Sequence, residues 1–539
     1  MEKSQPSLFV RKASGLVRGM TGWDALIGNI LLANLIFGAV GMLFVPSTYP
    51  GSSLVWSIVF ASIAAVFLDI VYVLFGSAFP LSGGDYVYNT RTLFPALGFA
   101  ANAAMILPAG VFTSVYANWS LTIGAVGLLT TLGLITNNPG LMSAATWITL
   151  PEVSFTIATI INVAIVGIVL LGLRPSMLTQ KIFWIVGMIG VSIGIILIAA
   201  TPHDVFMSRF NAFTSYQGVI DTGSQQGFAV IPQWNDMWLA LIAIGFSGLT
   251  VLYTQNNVYA GGELQNPKRN MSFSILGSLA ILAPLTLVMA YGMQYVIGDQ
   301  FLGSLYYLQL IGKSPLAVPA SYNLFAAIAA QNPVLIWILG VAFILWPFGT
   351  MIFVYTFCSR SVMAWSFDRI LPDKLSEVSR KYHAPTYAIL FIFIFAELAL
   401  ILYTWSIAFV SFVAGITVST TLTYFITSIS GIVFPWRRKK LYQGSPAQRN
   451  IGGVPVITIA GIISTIFMFL ALYGLIAWPY TFPPFEALAT MGDIMTRSVY
   501  IAESLVFFWG AFIGYYISKY LRKRQGIDLD MIYTEVPPA

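Results

Sequence analysis

Apolar residues occur in long blocks separated by short polar breaks. A helix needs about 20 apolar residues to cross a bilayer. Twelve blocks approach or exceed that length, at approximately 24–45, 53–76, 98–134, 150–173, 180–201, 237–260, 272–297, 333–363, 385–404, 407–434, 454–478 and 498–520. They predict an all-α integral membrane protein of about twelve transmembrane helices. The third and eighth blocks exceed one crossing, so those helices tilt or extend beyond the bilayer. Only residues 404–406 separate the ninth block from the tenth. Two intervening stretches are long. Residues 202–236 are polar, with Trp234 and Trp238 near the membrane, and residues 298–332 contain an amphipathic stretch at 301–311. Both suit a cap or short helices on the outer face.

Composition removes the soluble alternatives. Of 539 residues, 58% are hydrophobic and 9% charged, against about 25% charged in an ordinary soluble domain. A soluble globule, a disordered chain and a nucleic-acid binder are excluded; the last would cluster its basic residues on a soluble face. The single cysteine, Cys358, precludes an intramolecular disulfide, and with only His203 and His383 beside it no metal site or cofactor is expected. Gly83-Gly84 lacks the spacing and the Lys of a phosphate loop. With no nucleophile–base pair either, the chain reads as neither an enzyme nor an ATP-driven pump. The first block has no cleavage site behind it and reads as a span, not a signal peptide.

Charge supplies an orientation. With the N-terminus inside, all of the 26 Lys and Arg except Arg209, Lys313 and Arg497 fall on the inner side, as the positive-inside rule requires. This predicts a multi-pass protein of the plasma membrane with both termini cytoplasmic. The run Arg437-Arg438-Lys439-Lys440 serves as an anchor of this kind, with a lipid-binding patch as the alternative.

Polar groups inside apolar blocks mark candidate chemistry, because irregular backbone at membrane depth is tolerated only in a protein interior or along a cavity. The first block contains Asn29, Asn34, Gly38 and Gly41. The sixth contains Gly245, Ser247 and Gly248, then Thr254-Gln255-Asn256-Asn257. The two lie five blocks apart, the spacing of paired broken helices in transporters built from inverted repeats. A break offers N–H groups to a carboxylate and carbonyls to an ammonium; close packing by small residues is the competing account of the glycines. Asp69 and Glu397 lie within spans and are candidates for proton coupling, since a buried carboxylate must be paired or protonated. Asp24 and Glu152 sit at span ends and are expected to reach water.

Three inner-side motifs complete the pattern. They are Pro80-Leu81-Ser82-Gly83-Gly84-Asp85-Tyr86-Val87-Tyr88 with Arg91, then Gly262-Glu263-Leu264-Gln265-Asn266-Pro267-Lys268-Arg269-Asn270, then Asp368-Arg369-Ile370-Leu371-Pro372 with Ala384-Pro385. Together they closely resemble the amino acid–polyamine–organocation (APC) permease superfamily, over roughly residues 15–435. The resemblance implies a LeuT-like fold: a cytoplasmic segment 1–23, a first inverted repeat 24–201, an extracellular loop 202–236, a second repeat 237–434, a basic cytoplasmic loop 435–453, two peripheral helices 454–520 and a cytoplasmic tail 521–539. It also implies a secondary-active symporter or antiporter, moving an amino acid or related organic amine by alternating access. Its partners would be that substrate, the lipid bilayer and candidate protons. A non-transporting sensor, or a structural subunit of a membrane complex with the same fold, is the alternative.

The resemblance places the substrate at the breaks of helices one and six. Counting back from Pro46 puts the family's Gly-Ser-Gly break at Ala39-Val40-Gly41, with Gly38 before it. In helix six the literal match is Phe246-Ser247-Gly248, whereas spacing from Asn266-Pro267 points to residues 251–254. The candidates therefore include Tyr253, Thr254, Gln255 and Asn256 as well. The hydroxyls of sodium-coupled relatives would fall at Phe353-Val354, with Thr350 and Thr356 offset. The Lys of proton-coupled relatives would fall in Val186-Gly187-Met188. Neither signature is met.

Overall fold

A computed structural model describes residues 15–229, 236–316, 318–406, 415–477 and 491–533. Among these, eleven helices are long and apolar enough to cross a membrane: Gly22–Thr48, Leu54–Ala78, Pro95–Thr136, Pro151–Leu170, Leu173–Ala199, Pro267–Leu310, Pro333–Phe367, Thr386–Trp405, Ile416–Arg437, Val456–Ile476 and Ile501–Arg524. They match eleven of the twelve blocks, and we number all twelve spans in chain order. The sixth is the exception because it is not one helix. It runs as Asp236–Ile242 and Ile244–Ser247, then as 3-10 turns at Val251–Tyr253, Asn256–Tyr259 and Gly261–Glu263.

The third and eighth helices are long, at 42 and 35 residues, as their blocks predict. The seventh is longer still, at 44 residues. It continues through a π-helical stretch, Gly292–Gly298, into the amphipathic segment, now helix Asp299–Leu310. Gly298 at φ +99° lets the chain bend there. The other long segment between spans contains helices His203–Phe210 and Tyr216–Gln225; Trp234 lies outside the described residues, as does the start of the tenth block at 407–414. Asp24 departs from expectation. It is 6% exposed, bonds Thr21 in a capping box and pairs with Lys181 at 2.6 Å. Glu152 is exposed.

The break in the first helix corrects the predicted one. The chain is helical through Ala39-Val40-Gly41 and interrupted five residues before Ala39, at Asn34 (φ 52°, ψ 86°). Asparagine tolerates this left-handed conformation because its short amide bonds nearby backbone. Here Asn34 N–H donates to the Ile30 carbonyl, closing the first half, Gly22–Ala33. Its Oδ1 accepts from Ile36 N–H and Phe37 N–H, both at 3.2 Å, opening the second half, Leu35–Thr48. One residue thus caps both halves. The Leu31 carbonyl freed by the break accepts from the Trp346 indole (3.0 Å) and the Thr350 hydroxyl (2.7 Å) of the eighth helix.

Gly38 and Gly41 serve packing instead. A Cβ on Gly38 would lie 1.7 Å from Thr250 Oγ1, and one on Gly41 2.9 Å from the Phe246 carbonyl oxygen. These glycines let the first and sixth spans touch. Gly38→Ala is expected to lower stability by about 1–3 kcal/mol through overpacking. The Thr250 hydroxyl is buried without a hydrogen-bond partner, so adding Thr250→Ala should recover most of the loss. A double-mutant cycle on thermal unfolding in detergent checks this; additive losses would count against the contact.

Candidate functional site

The two breaks meet at one cavity of about 280 Å³. It is lined by five spans: the first (Ala33, Asn34, Phe37, Val40, Gly41, Phe44), third, sixth, eighth and tenth. The lining crosses the break at Leu32–Asn34 and then follows the second half of the first helix from Phe37 to Phe44, a length of roughly 10 Å at 1.5 Å rise per residue.

The predicted residues divide cleanly. Val40, Gly41, Phe246, Tyr253 and Asn256 line the cavity. Gly38 and Ala39 are packed beside it. Ser247 bonds Ser57 of the second helix, and Gly248 abuts Ala61. Thr254 donates to both carboxylate oxygens of Asp69, at 2.8 and 3.0 Å. Gln255 donates to the Leu252 carbonyl of its own chain segment. Asn257 exchanges two bonds with Asn29, Asn29 Nδ2 to Asn257 Oδ1 at 3.0 Å and Asn257 N–H to Asn29 Oδ1 at 2.9 Å. Of four consecutive polar residues, Asn256 alone lines the cavity, and its Oδ1 is buried with no hydrogen-bond partner. In the sixth span α-helix ends at Ser247, capped at Gly248, and 3-10 turns follow at Val251–Tyr253 and Asn256–Tyr259, so the irregular backbone begins at the literal match and runs on through the position given by spacing.

Other lining residues carried no sequence signal for the site. Phe112, Tyr116 and Trp119 of the third helix form one aromatic face with Phe37, whose ring lies 4.3 Å from Trp119. Their spacing of four and three reads as a helical stripe, but not as one facing a cavity. No charged side chain is among the lining residues. Glu397 lies away from it, half-buried, accepting from Thr159 (3.0 Å) and Asn162 (2.5 Å) of the fourth helix.

Beyond the breaks, at the end that carries the three motifs, the spans are bound together. Arg91 forms a bidentate pair with Asp368, at 2.6 and 2.8 Å. Tyr86 donates to the same carboxylate at 2.5 Å, and Tyr533 lies with its ring 4.9 Å from the Arg91 guanidinium. Burial alone would lower the Arg91 pKa, but the adjoining Asp368 carboxylate outweighs it and holds the guanidinium charged. Glu263 of the second motif pairs with Arg360 of the eighth helix at 2.6 and 3.1 Å. Residue 20 joins on: Met20 N–H donates to Glu263 O, and Gln265 N–H to Met20 O. The first motif meets the sixth span through Gly83 N–H to Tyr259 O at 2.9 Å, and the second motif through Ser82, whose hydroxyl lies against Gly262. A Cβ on Gly84 would come within 2.6 Å of the Tyr259 ring, which is why glycine is needed there. The three motifs therefore form one buried clasp, closed at this end, with the cavity on the other side of the breaks.

Comparison with known proteins shows the family. The amino acid permease family matches residues 26–501. The chain is 26% identical over 464 residues to the branched-chain amino acid permease BcaP of Bacillus subtilis (strain 168), covering 84% of this chain and 86% of that one. It is also 33% identical over 84 residues to "Uncharacterized protein 399" of Sulfolobus islandicus rod-shaped virus 1, covering 16% of this chain and 21% of that protein. A cavity at two helix breaks, a clasp built from the three motifs and a family match along most of the chain lead to one conclusion: this chain belongs to the amino acid permease family of the APC superfamily, and it is a membrane transporter of amino acids.

Proposed function

We propose that this permease is a secondary-active carrier of neutral, apolar amino acids, branched-chain ones above all, and that it works by alternating access. The observation that carries the substrate class is the lining of the cavity, which is mostly aliphatic and aromatic, with a few neutral polar side chains and no charged one. Without a lining carboxylate, a polyamine or a cationic amino acid would bury an unpaired charge there, which is costly. Its volume of about 280 Å³ suits a small ligand. The branched-chain permease of Bacillus subtilis supports the same class.

The α-carboxylate binds at the Ile36 and Phe37 N–H groups. Asn34 Oδ1 occupies them here, so substrate displaces this amide, exchanging one acceptor for a charged one. The unpartnered Asn256 Oδ1 accepts from the ammonium. Residues 24–201 and 237–434 act as two inverted repeats that rock against each other. The clasp is the cytoplasmic gate, so this conformation faces outward across the plasma membrane, with both termini inside. Asp69, bonded to Thr254 beside the discontinuity, is placed to couple protons to movement of the sixth span. Glu397 is tied to the fourth helix instead. Thr350 donates to the Leu31 carbonyl and Thr356 to that of Ile352.

Uptake by purified protein in liposomes tests this. Leucine, isoleucine and valine should accumulate, and each should compete with the others. Lysine and putrescine should neither accumulate nor compete. Transport of putrescine in preference to leucine would overturn the substrate class.

A further inference from the structure

One buried acid belongs to neither the cavity nor the ion pairs of the clasp. Asp85, in the first motif, is fully buried. Its Oδ2 accepts from Tyr259 of the sixth span (2.5 Å) and Tyr72 of the second helix (3.0 Å). Its Oδ1 accepts from Asn102 Nδ2 of the third helix at 2.7 Å. The orientation of that amide is fixed, because Trp365 of the eighth helix donates to Asn102 Oδ1 at 2.8 Å. Four spans thus converge on one carboxyl, directly or through Asn102. None of its hydrogen-bond partners is a cation. The titratable groups facing it are phenols: Tyr72 from the second helix, Tyr88 from its own, Tyr259 from the sixth span and Tyr424 from the tenth helix. Arg91, on the same short helix Asp85–Thr92, is bonded to Asp368.

Opening the clasp must part the first motif from the sixth span that leads into the second, and Tyr259 of that span is held twice. Its carbonyl accepts from Gly83 N–H and its hydroxyl donates to Asp85. Movement of the sixth span away from this loop therefore removes a donor from Asp85 and admits water. The two ends of the movement treat a charge on Asp85 differently, which is the requirement for a switch.

We propose that Asp85 is a proton-binding latch of this gate: carrying a proton, which its Oδ2 donates to the Tyr72 hydroxyl oxygen in place of the bond it accepts, it holds the motif end shut, and as a bare carboxylate it favours opening into water. This rests on reading the motif end as a gate. Burial is the main cause, raising the Asp85 pKa from 3.8 to about 6 in the closed structure against the pull of the Tyr259, Asn102 and Tyr72 hydrogen bonds. The sign follows. A carboxyl with a raised pKa holds its proton more tightly in the closed state than where water reaches it. That preference for the closed state is complete below 3.8 and is lost as pH rises to about 6. Acidification on the motif side thus shuts the carrier, and neutral pH releases it.

A test need not depend on transport. Ser82 lies in the same loop, against Gly262 of the second motif. A Ser82→Cys reporter in a Cys358→Ala background is reconstituted in liposomes and labelled with a maleimide. At each pH the rate is normalised to the same cysteine in the denatured chain. The normalised rate should rise about tenfold from pH 5 to pH 7, the change in the open-to-closed ratio expected for a group titrating near 6. Adding Asp85→Asn should keep the rate low at both pH values. Adding Tyr259→Phe removes a donor to the charged form, so the midpoint should move up by up to about one pH unit. A pH-independent parent, a rise that survives Asp85→Asn, or an unmoved midpoint in Tyr259→Phe would each overturn the latch. Should Asp85→Asn not fold, the Tyr259→Phe midpoint decides alone. Absence of leucine uptake by the parent would instead count against the proposed transport, since labelling does not require it.

Discussion

Val40→Trp is expected to abolish leucine uptake, on the order of 100-fold or more, while the protein remains folded. Val40 lines the cavity and is partly exposed to it, on the second half of the first helix. An indole there takes up space the substrate needs without entering the break itself. The choice of position matters. Gly41 also lines the cavity, but its Cβ would press on the Phe246 carbonyl and the Leu249 side chain at 2.9 Å each. A large residue at Gly41 would therefore disturb helix packing and ligand binding together. Uptake of labelled leucine is measured beside the thermal unfolding temperature. Wild-type uptake by a folded Val40→Trp protein would remove the cavity from the transport path.

Arg91→Ala should cost about 3–5 kcal/mol of stability, because it leaves Asp368 buried and uncompensated. Both partners are nearly inaccessible, at 2% and 4% of side-chain exposure. The remaining donor to that carboxylate, Tyr86 at 2.5 Å, supplies no positive charge. The double variant Arg91→Ala/Asp368→Ala removes both charges and should recover part of the loss. Arg360→Ala should behave likewise, since Glu263 is equally enclosed. Thermal unfolding of the four proteins in detergent measures this. An Arg91→Ala protein as stable as its parent would show that the pair is not part of the closed core.

The first helix shows what local pattern could and could not give. Asn34 was visible as a polar residue in an apolar block, and polar groups there point to broken backbone. The break was nevertheless expected at Ala39-Val40-Gly41, because the glycines and the count from Pro46 favoured it. What decided between them was the neighbouring chain. Gly38 and Gly41 have Thr250 and the Phe246 carbonyl against them, so their missing Cβ atoms serve contact and not bending. Asn34 has its own N–H and side chain placed to cap both half-helices. Similarly, Thr254, Gln255, Asn256 and Asn257 look alike in the chain. Irregular backbone sends each in a different direction, so helical periodicity could not sort them.

Asp24 makes the same point for charge. A carboxylate at a span end ordinarily reaches water, yet Lys181 of the fifth helix covers it at 2.6 Å. Sequence fixes which residues are charged but not which distant residue meets them. Arg91 and Asp368 lie 277 positions apart, and no pattern within either motif pairs them.

By itself the sequence determined that the chain spans a membrane, roughly where eleven of its long helices run, and that its first and sixth spans are special. Those properties follow from the cost of placing unsatisfied backbone and charge in hydrocarbon, which acts on each segment separately. Only the tertiary structure decided where the first helix breaks, which side chains line the cavity, and how the three motifs close on one another around Asp85. These depend on which atoms from distant segments come within bonding distance, and that is set by packing across spans.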